Sequence, residues 1–379
     1  VTDTRHNPTT SRERTGVWLV GARGSVATTA VAGCAAVTAG LHPPAGMVTE
    51  AGPFTGSGLP ALDTLVFGGH ETACGSLGKR AEELADAGVL PHGLPAAVRG
   101  ELERADAAVR TASPHGAHAG DEAAVEQLAS DIREFGEVHE VARTVVVNVA
   151  STEAAPEDDP AAPLPPSSRY AAAALRAGCP YVNFTPSTGL HHPRLAAPAR
   201  ESGLPYAGRD GKTGQTLLRS VLAPMFAQRA LAVRAWSGTN LLGGGDGAAL
   251  AEPGAAAVKN AGKERVLGDT LGELPDGEVH IDNTPAMGEW KTAWDHIAFD
   301  GFLGARMYLQ TTWQGCDSAL AAPLVLDLAR IAARAHESGL TGPIEGLGFY
   351  FKDPDEGSAA LPDQWRALLH LADRLGERR

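Results

Sequence analysis

The stretch that most constrains this chain is Gly16 to Ala39. Gly16–Val20, GVWLV, is a short apolar run that predicts a strand. It leads into Gly21-Ala22-Arg23-Gly24-Ser25-Val26-Ala27 and then into Thr28–Ala39, small apolar residues that predict a helix packed close to a sheet. Strand, glycine turn and small-residue helix is a dinucleotide-binding arrangement. The glycines permit the tight turn, and the helix N-terminus offers free N–H groups to a pyrophosphate. The spacing is GxxGxxA rather than GxGxxG, so a tight turn with no ligand is the competing reading.

Further β/α alternation follows. Met47–Glu50 predicts a second strand ending in an acid placed for a ribose. Thr64–Phe67 is another apolar strand ending Gly68-Gly69-His70-Glu71, and Glu71 competes with Glu50 for the ribose hydroxyls. Either acid also fits a helix cap or a solvated surface. Helices are expected at Lys79–Ala87, Ala96–Ala112 and Ala123–Phe135. Thr144–Val149 is the clearest buried strand, and polar residues follow it from Asn148 to Glu153. The carboxyl end of such a strand is where open α/β sheets bind ligands. Beyond the Pro-rich, acidic loop Ala154–Ser168 come a helix at Arg169–Ala177, a strand at Tyr181–Phe184, a helix at Leu195–Ser202 and a strand at Pro205–Ala207. The last delivers Gly208–Thr216, GRDGKTGQT, which lacks the GxxxxGK[ST] of a Walker A loop. A helix at Leu217–Gln228 follows, so the loop amides can still hold a phosphate.

The alternation ends near here. A strand at Ala230–Trp236 runs into Ser237–Gly247, SGTNLLGGGDG, where Asn240 and Asp246 flank a glycine run. Glycines let backbone approach a ligand closely, though a plain flexible loop is the alternative. Lys259 and Lys263 are four apart in a helix-like region and share a face. An intervening phosphate or enolate would relieve their repulsion; a solvated basic face is the other reading. Glu278–Asn283 and Trp290–Gln310 suggest a separate sheet. Leu320–Ala335 is a strong helix, Gly348–Phe351 a short aromatic strand ending at Lys352, and Gln364–Arg374 a terminal helix.

The net charge of −13 argues against nonspecific nucleic-acid binding but not against an anionic substrate at a local lysine cluster. The four cysteines are scattered without zinc-ligand spacing. They read as reduced thiols of a cytoplasmic protein, with no metal site expected. No apolar run has the length of a membrane span, no signal peptide is expected, and Val1–Arg14 is expected to be disordered.

Ordered blocks along the chain resemble the inositol-3-phosphate synthase (myo-inositol-1-phosphate synthase) family. GRDGKTGQT resembles that family's GDDFKSGQT, and Asn183–Ser187 its NGSPQN. Asn240–Gly247 is similar to NHLGNNDG. Lys259–Asp269, KNAGKERVLGD, is similar to KEVSKSSVIDD. Gly288–Asp295, GEWKTAWD, resembles GDSKxAMD, and Cys316–Asp327, CDSALAAPLVLD, resembles CEDSLLAxPLIID. Leu347–Lys352, LGFYFK, resembles LSYWLK; Gly68–Glu71 resembles GGWD and Asn148–Glu153 resembles WTANTE.

The resemblance implies an α/β fold: a Rossmann-like dinucleotide-binding domain with an inserted α+β catalytic and oligomerisation domain, assembled as a homotetramer. The corresponding division is a disordered 1–14, an NAD domain over 15–212, a catalytic domain over 213–312 and a C-terminal segment, 313–379, completing the NAD domain. It implies NAD as cofactor and a hexose 6-phosphate as substrate. Oxidation at C5 of glucose 6-phosphate, enolisation at C6, aldol closure onto C1 and return of the hydride give 1D-myo-inositol 3-phosphate. Lysines suit this chemistry, because fixed ammonium groups stabilise oxyanions and a lysine of lowered pKa moves protons.

By the same resemblance Lys259, Lys263, Lys291 and Lys352 are catalytic lysines, and Asp210 and Asp317 orient them or the substrate. Lys259 would transfer protons, Lys263 and Lys352 stabilise oxyanions or hold phosphate, and Lys291 help bind it. Gly21, Gly24, Ala27, Thr28, Glu71, Ala150, Ser151 and Asp246 form the cofactor set. Ser187, Lys212, Thr213, Gly214, Gln215, Thr216 and Asn240 form the phosphate and substrate shell. Gly244 and Gly245 stand where that family has two asparagines. The alternatives are the same mechanism on fructose 6-phosphate, giving a five-membered cyclitol phosphate for carbocyclic nucleosides, a plain dehydrogenase, and a noncatalytic NAD or sugar-phosphate sensor.

Overall fold

A computed structural model describes residues 13–111, 120–154, 162–243, 267–355 and 357–377. Its strands are β1 (Thr15–Val20), β2 (Leu65–Glu71), β3 (Val109–Thr111), β4 (Arg143–Asn148), β5 (Tyr181–Asn183) and β6 (Pro205–Gly208). They continue as β7 (Ala232–Leu242), β8 (Val279–Asn283), β9 (Lys291–Asp300), β10 (Arg306–Gly315) and β11 (Gly342–Pro343).

One sheet has the order β11-β6-β5-β4-β1-β2-β3, and every pairing in it is parallel. Its central strands, β1 and β4, are continuous apolar runs because helices cover both faces. Alternate residues point to opposite sides. Val17, Leu19, Val145 and Val147 join the core beneath the helices Ser25–Thr38 and Asp317–Glu337. Trp18, Val20 and Val146 join the core beneath Asp121–Val138 and Pro166–Arg176. β2 and β4 flank β1 on opposite sides, so the strand order reverses there and leaves a crevice at their carboxyl ends. The result is a Rossmann-like parallel sheet plus a second sheet of order β10-β9-β7-β8. In the second sheet β9 runs antiparallel to both neighbours, and the helix Gly214–Gln228 packs on one face through Ala223 and Phe226 against Trp236 and Ile297.

Several expectations change. Met47–Glu50 is not a strand: Val48–Glu50 forms one 3₁₀ turn. The N–H of Val48 donates to buried Asp327 at 2.7 Å, and Glu50 pairs with Arg330. Those partners lie on the Asp317–Glu337 helix, so no local pattern could reveal them. The helix expected over Ala96–Ala112 is shorter, Arg99–Ala107, and its tail becomes edge strand β3. Ser237–Leu242 extends β7 instead of forming a loop. Gly348–Phe351 is not a strand: Leu347–Tyr350 is a 3₁₀ turn, and Phe351 bridges only to Gly211. Arg14 belongs to the fold, its guanidinium donating to the His139 carbonyl at 2.8 Å. Asp246, Lys259 and Lys263 lie outside the described residues.

Candidate active site

A cleft of about 660 Å³ opens at the carboxyl ends of β1, β2 and β4. The turn after β1 forms one wall. Gly21 has φ +85°, and a Cβ there would lie 2.8 Å from the Ala150 Cα, so the turn sits directly against the segment after β4. The N–H groups of Gly21 and Ala22 both donate to the His70 carbonyl, at 3.0 and 3.1 Å. Gly24 then caps the Ser25–Thr38 helix with no side chain on the cap and no acid in the first turn. Those bare amides face the cleft and fit an anionic pyrophosphate. Ala150 and Ser151 line the cleft. Ala27 and Thr28 are fully buried inside the helix and pack toward the core.

Glu71 ends β2 inside the cleft. Its carboxylate accepts from the N–H of Thr72 at 2.7 Å, Ala73 at 3.0 Å and Arg23 at 3.0 Å. A carboxylate fixed at the end of the second strand has the chemistry to accept ribose hydroxyls and to disfavour a 2′-phosphate. Beneath the turn lies a cluster that the motif does not announce. Trp18 Nε1 donates to His70 Nδ1 at 3.2 Å, and His70 Nε2 lies 3.0 Å from Asp131. Indole N–H is donor only, so Nδ1 is the acceptor and the Nε2 proton faces Asp131. Burial pushes His70 below its ordinary pKa, and the hydrogen bond to Asp131 opposes the shift.

In the same cleft Lys291, first residue of β9, places Nζ 2.9 Å from Asp317 Oδ2. Asp317 is the first residue of its long helix, and its other oxygen lies 3.5 Å from Thr213 Oγ1. Ser187 lines the same cleft and accepts from the Glu153 N–H at 3.2 Å. A second pair, Lys352 with Asp210 at 2.8 Å, is largely buried. Backbone bonds between 209–212 and 350–353 fasten it, including Lys352 N–H to the Asp210 carbonyl at 2.7 Å. The loop from Asp210 through Thr213 to Gly214 therefore links the two lysine–carboxylate pairs. Gln215, Thr216 and Asn240 are turned away from the cleft, 0–1% exposed. Asn240 donates to Gln215 at 2.9 Å, and Gln215 donates to Asp295 at 2.9 Å.

Lys212 lines a cavity of about 150 Å³ with Lys352. Its ammonium donates to the Gly348 carbonyl at 3.3 Å and to Gln364. Burial pushes it down to about 7. Its folded value is depressed, so the unfolded chain binds the extra proton between about 7 and the ordinary lysine value of 10.5. The lysine's contribution to stability is therefore complete above that range and lost as pH falls through it. Relative to Lys212→Met, the wild type is expected to gain up to about 1.4 kcal/mol per pH unit between pH 7.5 and 9.5, measured by urea unfolding. A stability difference that ignores pH would show that the ammonium stays charged.

A family model described as Myo-inositol-1-phosphate synthase matches residues 15–368. Inositol-3-phosphate synthase 1 of Bacteroides thetaiotaomicron is 32% identical, with 96% of each chain aligned. The crystal structure of inositol-3-phosphate synthase from Caenorhabditis elegans superposes with a TM-score of 0.85 at 21% identity, covering 96% of this chain and 86% of that one. A myo-inositol-1-phosphate synthase-related protein from Thermotoga maritima gives 0.74 at 21% identity, covering 94% and 98%. The two superpositions speak to the fold. The family model and the Bacteroides relative go further: this chain belongs to the myo-inositol-1-phosphate synthase family.

Proposed function

We propose that the chain closes glucose 6-phosphate to 1D-myo-inositol 3-phosphate without net redox change. Family membership makes it an isomerase that uses NAD in the cyclisation of a sugar phosphate. The observation that carries the finer reading is the Lys291–Asp317 pair, which opens on the same cleft as the dinucleotide turn. A plain dehydrogenase needs one acid/base group beside its cofactor. Here a lysine–carboxylate pair is joined through a short loop to a second one.

Bound NAD supplies reversible hydride exchange at a substrate carbinol carbon. The chain's residues supply the rest. The amides at the start of the Gly214–Gln228 helix and the Ser187 hydroxyl are assigned to the phosphate. A ketone at C5 makes the C6 protons acidic, and their removal creates an enolate. Lys291, held by Asp317, steadies the phosphate and the developing negative charge beside it. Lys352, oriented by Asp210, is assigned to the alkoxide that forms at C1 on ring closure. Proton transfer is assigned to Lys259 with Lys263 beside it, on the strength of the KNAGKERVLGD block.

The same mechanism on fructose 6-phosphate is the second reading, because the cleft wall departs from the resembling blocks at one large side chain. Trp290 lines the cleft next to Lys291, where the resembling GDSKxAMD block has serine, and a large indole reshapes that wall. The test is incubation with catalytic NAD and either sugar phosphate, with products identified by NMR. The expected result is a cyclitol phosphate in large excess over NAD, with no NADH accumulating. One NADH released per product would sink the cyclase reading. Product from fructose 6-phosphate alone would replace the substrate but keep the mechanism.

A further inference from the structure

The segment carrying Lys291 is fastened to the cofactor side of the cleft. Arg80 lies within the helix Leu77–Asp86, which follows β2. Its Nη2 donates to Glu289 at 2.6 Å and also to the Ser25 hydroxyl at 2.7 Å. Ser25 is the first residue of the helix whose bare amides face the cleft, and Glu289 lies two residues before Lys291. Trp290 adds a second fastening, its indole N–H donating to the Ala87 carbonyl at 2.8 Å. Arg80, Ser25, Glu289 and Lys291 all line the cleft, with the Arg80 side chain 29% and the Glu289 side chain 19% exposed. One guanidinium thus joins the start of the Ser25–Thr38 helix to the segment that carries Lys291. A planar fork of N–H donors holds two acceptors at once in fixed geometry.

We propose that Arg80 is a positioning residue that couples NAD occupancy to the placement of Lys291. At Ser25 its charge reinforces the anion site made by the helix N-terminus, and through Glu289 it holds the 288–291 segment in register. A bound pyrophosphate fixes Arg80, and Arg80 then fixes the segment. The functional meaning of that coupling rests on Lys291 acting in the cyclisation, but the coupling itself is measurable without any sugar phosphate.

Arg80→Gln, Arg80→Lys and Glu289→Gln are compared with wild type in the full chain. NAD affinity is read by calorimetric titration, hydrogen exchange of residues 288–291 with and without NAD, and folding by thermal melts. In the wild type, NAD is expected to slow exchange over 288–291. Arg80→Gln is expected to bind NAD about tenfold more weakly. Glu289→Gln is expected to bind NAD within about threefold of wild type yet lose the NAD-dependent protection. Folded Arg80→Gln that binds NAD as wild type does overturns the proposal. So does protection that survives in Glu289→Gln. If Arg80→Gln fails to fold, Arg80→Lys decides. Weakened protection with a wild-type melt supports the coupling, and wild-type protection overturns it. A chain that cyclises neither sugar phosphate but shows these binding effects would overturn the proposed function and leave the coupling standing.

Discussion

Lys291→Met is expected to lower turnover about a thousandfold, the scale for removing a charged group aimed at developing negative charge. The site is built to make that loss specific. Lys291 opens β9 and pairs in register with Leu242 on β7 and Gly315 on β10, so both neighbouring strands set its backbone. Methionine keeps the length of the side chain and removes only the ammonium. Asp317 stays on its helix N-terminus, where a negative charge is favourable without a partner lysine. The fold therefore tolerates the change, and NAD affinity is expected to stay within about threefold because the Lys291 ammonium pairs with Asp317 and not with the dinucleotide turn. Lys291→Arg keeps the charge but replaces a compact ammonium with a planar fork, so its turnover is expected to stay at least about tenfold down. Steady-state rates with the preferred sugar phosphate, beside NAD titrations, measure both. Turnover within tenfold of wild type for Lys291→Met would remove Lys291 from the chemistry.

The parts of this fold legible in sequence are those whose partners are close along the chain or whose burial is complete. GVWLV and its glycine turn, the VVV run of β4 and the alanine-rich helices each carry their own pattern. β3 and β11 do not, because edge strands of three and two residues have no period to read. The choice between Glu50 and Glu71 shows the same limit in the site. Both acids end a short apolar run, so composition weighs them equally. Three backbone amides hold Glu71 in the cleft, whereas Arg330, 280 residues further on, takes Glu50. His70 and Arg80 carried no signal of their own, since His70 meets Trp18 of β1 and Asp131 of the Asp121–Val138 helix, and Arg80, beyond its helical neighbour Glu83, meets Ser25 and Glu289. Gln215 and Asn240 read as polar residues near a site, and the structure places them in a buried network between the Gly214–Gln228 helix and the second sheet. Polarity next to a loop does not distinguish a ligand contact from a structural one until the acceptor is known.

That network predicts the largest loss of stability. Asp295, 2% exposed, accepts hydrogen bonds from Gln215 at 2.9 Å, Trp236 at 2.8 Å and Arg219 at 3.2 Å. Arg219 is itself 1% exposed. Asp295 faces Gly238 across the β7–β9 ladder, where a Cβ would come within 2.6 Å of the Gln215 amide and 3.0 Å of the carboxylate. Glycine is thus what lets the three side chains converge. Asp295→Ala removes the buried carboxylate on which Gln215, Trp236 and Arg219 converge and is expected to cost about 3–5 kcal/mol in urea unfolding. The Arg219→Met, Asp295→Ala double variant is expected to lose less than the sum of the two single losses, because the two side chains share a buried hydrogen bond. The consequence for the site is directional. Gln215 directly follows Thr213 and Gly214, the residues that link the two lysine–carboxylate pairs. The KM for the sugar phosphate is expected to rise in Asp295→Asn at a temperature where it stays folded, with NAD affinity little changed. A cost below about 1 kcal/mol for Asp295→Ala, or NAD affinity falling as far as sugar-phosphate affinity in Asp295→Asn, would show that this ion pair does not hold the 210–214 loop to the second sheet.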